Sequence, residues 1–111
     1  MEIRPTRALV LETRTQVSDG AGGTVAEWAP LGTLWADMRP RTSGLTDGQE
    51  VSLSRTLWRI VVRGAPAGAP SRPVAGQRFR EGARVFSILT ATEDGPQAKW
   101  LICQAEEEVV R

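Results

Sequence analysis

The chain contains no histidine and no tyrosine. The side chain used most often as a general base is therefore missing, and with it every Ser-His, Cys-His and His-metal arrangement. The single cysteine, Cys103, lies in the apolar run Leu101-Ile102-Cys103, where a free thiol behaves as a small buried hydrophobe. Alone it can form neither an intrachain disulfide nor a thiolate zinc site of the usual kind. Carboxylates remain, and Asp37 could be paired with Glu50 or Glu27 for acid–base work, but nothing in the sequence fixes the separation that such chemistry needs. The stretch Gly20-Ala21-Gly22-Gly23 looks superficially like a phosphate-cradling loop. No Gly-Lys-Ser/Thr follows it and no helical pattern starts there, so a hairpin turn is the better reading. Glu106, Glu107 and Glu108 read as a solvated terminus and not as a metal site. No catalytic residue, metal or cofactor is expected, and the chain is read as a non-enzyme.

Two residue types could still bind. Trp28, Trp35, Trp58 and Trp100 could stack bases, but each falls in a different predicted strand, where filling a core or a subunit interface is the default. Lys99 is the only lysine among 14 basic residues, a bias that a GC-rich genome produces as readily as a need for bidentate contacts. With 13 acids the net charge is only +1, too balanced for a protein that wraps phosphates. Arg39, Arg41, Arg55, Arg59 and Arg63 bracket one polar segment. They are placed either to line a channel through which DNA passes or to pair with acids of neighbouring subunits, and the sequence does not separate the two.

The elements that must position these residues are short strands. The 111 residues suit a single domain, 1–111, of ordinary globular composition, 41% apolar and 24% charged. No stretch reaches the roughly 20 apolar residues of a membrane span and no signal-peptide core opens the chain, so a membrane is not expected, and one unpaired cysteine fits a reducing cytoplasm. Residues 8–13 and 24–29 predict a hairpin around the Asp-Gly turn, with Pro30 ending the ladder. From Leu34 the alternation puts Leu34, Ala36 and Met38 on one face and Trp35, Asp37 and Arg39 on the other. Residues 51–63 predict a long strand whose buried face carries Trp58, Ile60 and Val62. Residues 77–80 and 84–92 form a hairpin about Glu81-Gly82-Ala83, and after a turn at Asp94-Gly95-Pro96 a last strand spans 99–105, followed by a frayed end. Between them lie two irregular segments. One is a long mobile loop of Arg41, Thr42, Ser43, Gly44, Leu45, Thr46, Asp47, Gly48, Gln49 and Glu50. The other is the Pro/Gly-rich stretch 64–73, which can continue neither a helix nor a central strand. No window sustains a helical period. The class is all-β, a small barrel of six or seven antiparallel strands with long loops, because closure removes exposed edges.

The run from Thr15 to Trp28, TQVSDGAGGTVAEW, followed by Leu34-Trp35-Ala36-Asp37-Met38-Arg39-Pro40, resembles the opening of tailed-bacteriophage head-tail joining proteins, in which a strand leads into a D-G-x-G-G turn. Leu57 to Arg63, Gln77-Arg78-Phe79, Gly82 to Ile88 and Lys99 to Cys103 are similar to the second half of that family, so the resemblance spans roughly residues 8–105. It implies a small β-barrel in a homo-oligomeric ring, a hexamer by family analogy, at the neck of a virion or of a gene transfer agent particle assembled in the bacterial cytoplasm. It further implies portal and adaptor proteins above, tail terminator or tail tube proteins below, and double-stranded DNA passing without sequence specificity. In head-closure, or stopper, members a long loop projects into the channel and gates it, and residues 41–50 match by position. The stretch 65–73 is longer than the family pattern and suits a docking surface of its own.

Two other readings stand beside this one: a tail-terminator-like neck protein, and a free-standing single-stranded nucleic-acid-binding barrel using Trp35, Trp58 and the arginines. A carboxylate-dependent hydrolase ranks last for want of a defined pair. Terminators usually mix in helices and adaptors are helical, so the stopper reading is preferred.

Overall fold

The structure is a computed structural model that describes residues 2–41 and 56–108. Its six strands are β1 (Arg7–Ser18), β2 (Thr24–Arg41), β3 (Thr56–Arg63), β4 (Arg78–Glu81), β5 (Arg84–Glu93) and β6 (Trp100–Glu107). Every pairing is antiparallel and the sheet closes into a barrel in the order β1-β2-β3-β6-β5-β4. The expected all-β barrel is therefore what forms. The predicted strand start at 51–55 and the loop residues 42–50 lie outside the described residues.

Alternation builds the core. Leu9 and Leu11 of β1, Ala36 of β2, Ile60 and Val62 of β3, Phe79 of β4, Phe86 and Ile88 of β5, and Leu101, Cys103 and Ala105 of β6 are all buried together. Register sets them opposite one another: Leu11 faces Phe79, Phe79 faces Phe86, Ile60 faces Cys103 and Val62 faces Leu101. Such cross-strand pairs are the unit from which a sheet gains stability. The face assignment read for Leu34, Ala36 and Met38 holds, since Leu34 and Met38 pack against this cluster. Gly82 opens the two-residue turn between β4 and β5 at φ +60, a conformation that costs glycine little.

Three expectations are corrected. Pro30 does not end its strand: β2 runs through it without a break. It sits beside a bulge, where Glu12 pairs with Pro30 but Leu11 with Gly32, leaving Leu31 extra, and where β1 is the only ladder partner of β2. A missing N–H is tolerated at both kinds of place, and Gly32 takes the φ of +147 that the bulge imposes. The tryptophans are not spread one to a strand: Trp28 and Trp35 share β2. Trp58 packs against the core from its expected face, Trp28 and Trp100 are half-buried and Trp35 is 60% exposed, while two phenylalanines occupy the centre. Nor is the end of β6 frayed, because Glu107 lies within the strand and the Glu108 amide donates to the Val85 carbonyl at 2.8 Å.

The stretch 64–73 is irregular, as read, but it is held, and β4 begins at Arg78, one residue after the expected start. Pro73 is fully buried, Arg72 donates to the Ala65 carbonyl and to Glu93, and the Gly64 amide donates to the Lys99 carbonyl at 2.9 Å.

Phe86 touches the core from its middle and meets Trp58 edge to face at 6.0 Å. Phe86→Ala should lower stability by ~3–5 kcal/mol, read as an earlier urea midpoint with an unchanged slope. A loss below ~1 kcal/mol would mean that the core does not depend on this ring.

Candidate functional site

The alternation that fills the core continues past its end into charged residues. Arg7 follows the parity of Leu9 and Leu11, Trp58 that of Ile60, Glu81 that of Phe79, Arg84 that of Phe86, and Glu107 that of Ala105, so five strands send polar groups over one mouth of the barrel. Arg7 donates to both carboxylate oxygens of Glu81, its Nε at 2.9 Å. Arg84 grips both oxygens of Glu107 at 2.8 and 3.0 Å, and the Trp58 indole N–H donates to the same carboxylate at 3.0 Å. The Arg84 guanidinium also lies 5.4 Å from the Trp58 ring centre and 5.1 Å from that of Phe86. The bond from Arg7 holds the Glu81 carboxyl below its ordinary range, and the bond from Arg84 does the same for Glu107. At this mouth the chain leaves β2 at Arg41 and enters β3 at Thr56.

The arginines singled out from the sequence are separated by the structure. Arg39 and Arg59 are direct cross-strand partners on the outer face of β2 and β3. Arg39 donates to Asp37 at 3.2 Å and to the Glu2 carbonyl at 2.8 Å, so it is already neutralised within the chain. Arg59 lies close enough to Asp37 to act on its charge. Arg41, at the end of β2, donates to Gln104 on the outer face of β6 at 2.9 Å. Arg63, at the far end of β3, stacks 5.4 Å over Trp100. Arg55 and residues 42–50 lie outside the described residues. Asp37 itself is buried, which pushes its carboxyl up, but the amide of Arg4 at 2.8 Å and the side chain of Arg39 outweigh that and hold it low. Glu27 is ten residues away along the same strand, roughly 30 Å, so these two carboxylates form no acid–base pair. Burial pushes the Cys103 thiol up to about 12, which leaves it inert as a nucleophile.

A second feature is the hairpin made by the distal halves of β1 and β2. Beyond Glu12 and Pro30 these strands have no ladder partner except each other. Its turn is tied by Asp19, whose Oδ1 accepts from Ala21 at 2.8 Å and Gly23 at 3.1 Å. At its base Glu12, on the outer side of β1, is held between Arg78 at 2.7 Å and Arg80 at 3.1 Å. Trp28 lies over Arg78, 4.3 Å from guanidinium to ring centre. Burial works against ionisation of Glu12, but the two arginine bonds outweigh it and its carboxyl is held low. These contacts brace the hairpin against β4.

Sequence reasoning missed both charged clusters. The signal was present: Arg84-Val-Phe-Ser-Ile and Phe79-Arg-Glu81 put a charge two positions from a core residue, on the same face. It also missed a groove of about 350 Å³ on the outer face, lined by Pro5, Thr33, Leu34, Trp35, Arg63 and Trp100. The segment before β1 and the strands β2, β3 and β6 supply it, and no local pattern marks it. Among the described residues no cluster of side chains is arranged to hold a metal ion.

Comparison with known proteins gives one family. The model of the phage head completion protein family matches residues 3–108. Among solved structures, a chain from the virion of a native gene transfer agent particle is 42% identical, with 100% of this chain and 99% of that chain covered and a TM-score of 0.77. A protein of Shigella flexneri 2a solved in solution is 22% identical over 100% of both chains, TM-score 0.70, a likeness of fold. No curated protein matches.

Glu12, Glu81 and Glu107 all have carboxyls held below the ordinary 4.5. Their contribution to stability is therefore complete above that value and is lost as pH falls through the lower folded values. The urea midpoint should stay flat from about pH 8 to 6 and drop below about pH 5, with Glu107→Gln removing part of the drop. A midpoint that rises on acidification would sink this account.

Proposed function

The chain belongs to the phage head completion protein family, and on that premise we propose that it closes the neck of a phage-like particle as a head-closure subunit. Its role is structural. The observation that carries the reading is the family match across almost the whole chain, joined to 42% identity with a chain of a gene transfer agent virion. In the proposed arrangement identical subunits form a ring, a hexamer, with the portal and adaptor above and the tail terminator or tail tube below. Packaged DNA runs through its axis.

Three features of the chain fit that arrangement. The barrel interior is filled by Phe79, Phe86 and their neighbours, so DNA passes between subunits and not through one. The net charge is +1, and Arg39 is already paired with Asp37, which leaves a weakly charged surface along which a duplex can slide. The gating candidates 41–50 belong to the stretch of chain between the end of β2 at Arg41 and the start of β3 at Thr56, and both of those ends lie at the ionic mouth. Six copies of that segment pointed at the axis gate the bore, with Arg41 and Arg59 nearest the passing phosphates. The single-stranded nucleic-acid reading fits less well, because Trp28, Trp58 and Trp100 are half-buried and each already carries an arginine against its ring, which leaves Trp35 as the one openly exposed indole of the four and not a row of stacking surfaces.

The test is made in assembled particles. Replacing residues 42–50 with a short Gly-Ser linker should leave subunit incorporation intact and lower the amount of nuclease-protected DNA per particle several-fold. Full protection with the linker in place would overturn the gating role. Absence of the unaltered chain from purified particles would overturn the head-closure reading itself.

A further inference from the structure

The projecting hairpin has two faces with different fates. On one, Glu12, Trp28 and Arg78 brace it to the barrel. On the other, Val17 pairs with Val25 and Thr15 with Glu27, and nothing in the described residues covers them: Val17 is 38% and Val25 45% exposed. A two-stranded hairpin is marginal in water without a surface to rest on, so a braced arm with a bare apolar face calls for one. The Glu27 carboxylate has no ion-pair partner among the described residues.

The groove supplies what this face lacks. It is mainly apolar, holds the most exposed large aromatic of the described residues, Trp35, and is edged by Arg63, whose guanidinium stacks on Trp100 and has no carboxylate partner among those residues. An exposed indole beside an unpaired arginine is the composition of an interface centre. One subunit thus carries an apolar pair next to an unpaired acid, and elsewhere an apolar groove next to an unpaired base.

We propose that the hairpin of one subunit, through Val17, Val25 and Glu27, seats in the Trp35–Trp100–Arg63 groove of the next copy of this chain. The contact is head to tail, because the two surfaces differ, and a head-to-tail contact is the kind that propagates round a ring until it closes. Glu27 meets Arg63 at the edge of the contact, while the valines cover Trp35. This names the subunit interface of the ring, and it rests on the head-closure reading.

The experiment uses assembled particles carrying Val25→Cys together with Thr33→Cys and a short bismaleimide crosslinker. Within one chain these positions are eight residues apart on β2, about 26 Å, beyond the reach of the reagent, and Cys103 is fully buried. The expected result is a ladder from dimer upward with the double variant and monomer alone with either single variant. Particles that contain the double variant but show only monomer overturn the proposal. So does dimer from one single variant, which means a symmetric contact, or a crosslink to another particle protein, which means that a neighbour fills the groove. If the unmodified chain is missing from particles, the head-closure reading fails and takes this interface with it. Independently, Trp35→Ala and Val25→Asp, each checked for an unchanged β-sheet spectrum, should each lower the yield of DNA-filled, tailed particles by about tenfold or more. Yields equal to the unmodified chain for both overturn the interface.

Discussion

A sheet of six antiparallel strands rolled on itself offers one small interior, and side-chain alternation lets each strand send only every second residue into it. Every other feature of the molecule is arranged around that limit. The interior is taken by two phenylalanines and a shell of Leu, Ile, Val, Ala and Cys side chains, which leaves no lumen. No passage therefore runs through the barrel itself. The groove, the outer arginines and the hairpin are all made of the residues that the interior refuses.

The same alternation explains why one mouth is sealed by ions. When the apolar residues of β1, β4, β5 and β6 run out, the next inward positions are Arg7, Glu81, Arg84 and Glu107. They are half-exposed, so each pair adds little by itself. Together they satisfy one another, cover the edge of Trp58, and tie the 82–83 turn to the end of β6. Glu12 is different in kind. It is nearly buried, and its two arginines bridge the barrel to the arm, so losing it leaves two cations facing each other beneath a tryptophan.

Much of this was legible in the sequence where a single rule governed. The hairpin of β4 and β5 was readable because Gly82 sits where positive φ is needed and Phe79, Phe86 and Ile88 keep strict alternation. Leu34, Ala36 and Met38 were assigned to the core for the same reason. What was misread needed tertiary context. Pro30 reads as a stop from sequence, because the rule against proline in strands concerns a missing donor, and whether the donor is missed depends on which neighbour strand is present. The tryptophans read by type as core or interface residues: Trp58 does pack on the core, with its N–H on Glu107, but a barrel this small fills with phenylalanine, and Trp28, Trp35 and Trp100 lie on outer faces. The arginines were grouped by spacing, and spacing could not foresee that Arg39 is spent on Asp37 while Arg63 is left for Trp100.

The bulge at Leu31 decides what the hairpin presents. Above it the even-numbered residues of β2 point inward, as Leu34 facing Leu9 shows; below it Trp28 pairs with Arg14 and lies on the outer side with Glu12. One extra residue has inverted the parity of the strand, since a slip of one exchanges its two faces. Without it Trp28 would leave Arg78, the brace at the base of the arm would vanish, and Val25 would no longer stand beside Val17. Gly32, the glycine that follows the bulge, is thus what lets a single continuous strand serve the core at one end and carry a stiffened arm at the other. An arm held in place beforehand has less ordering entropy to lose when it docks, which is the property that the proposed contact between copies requires.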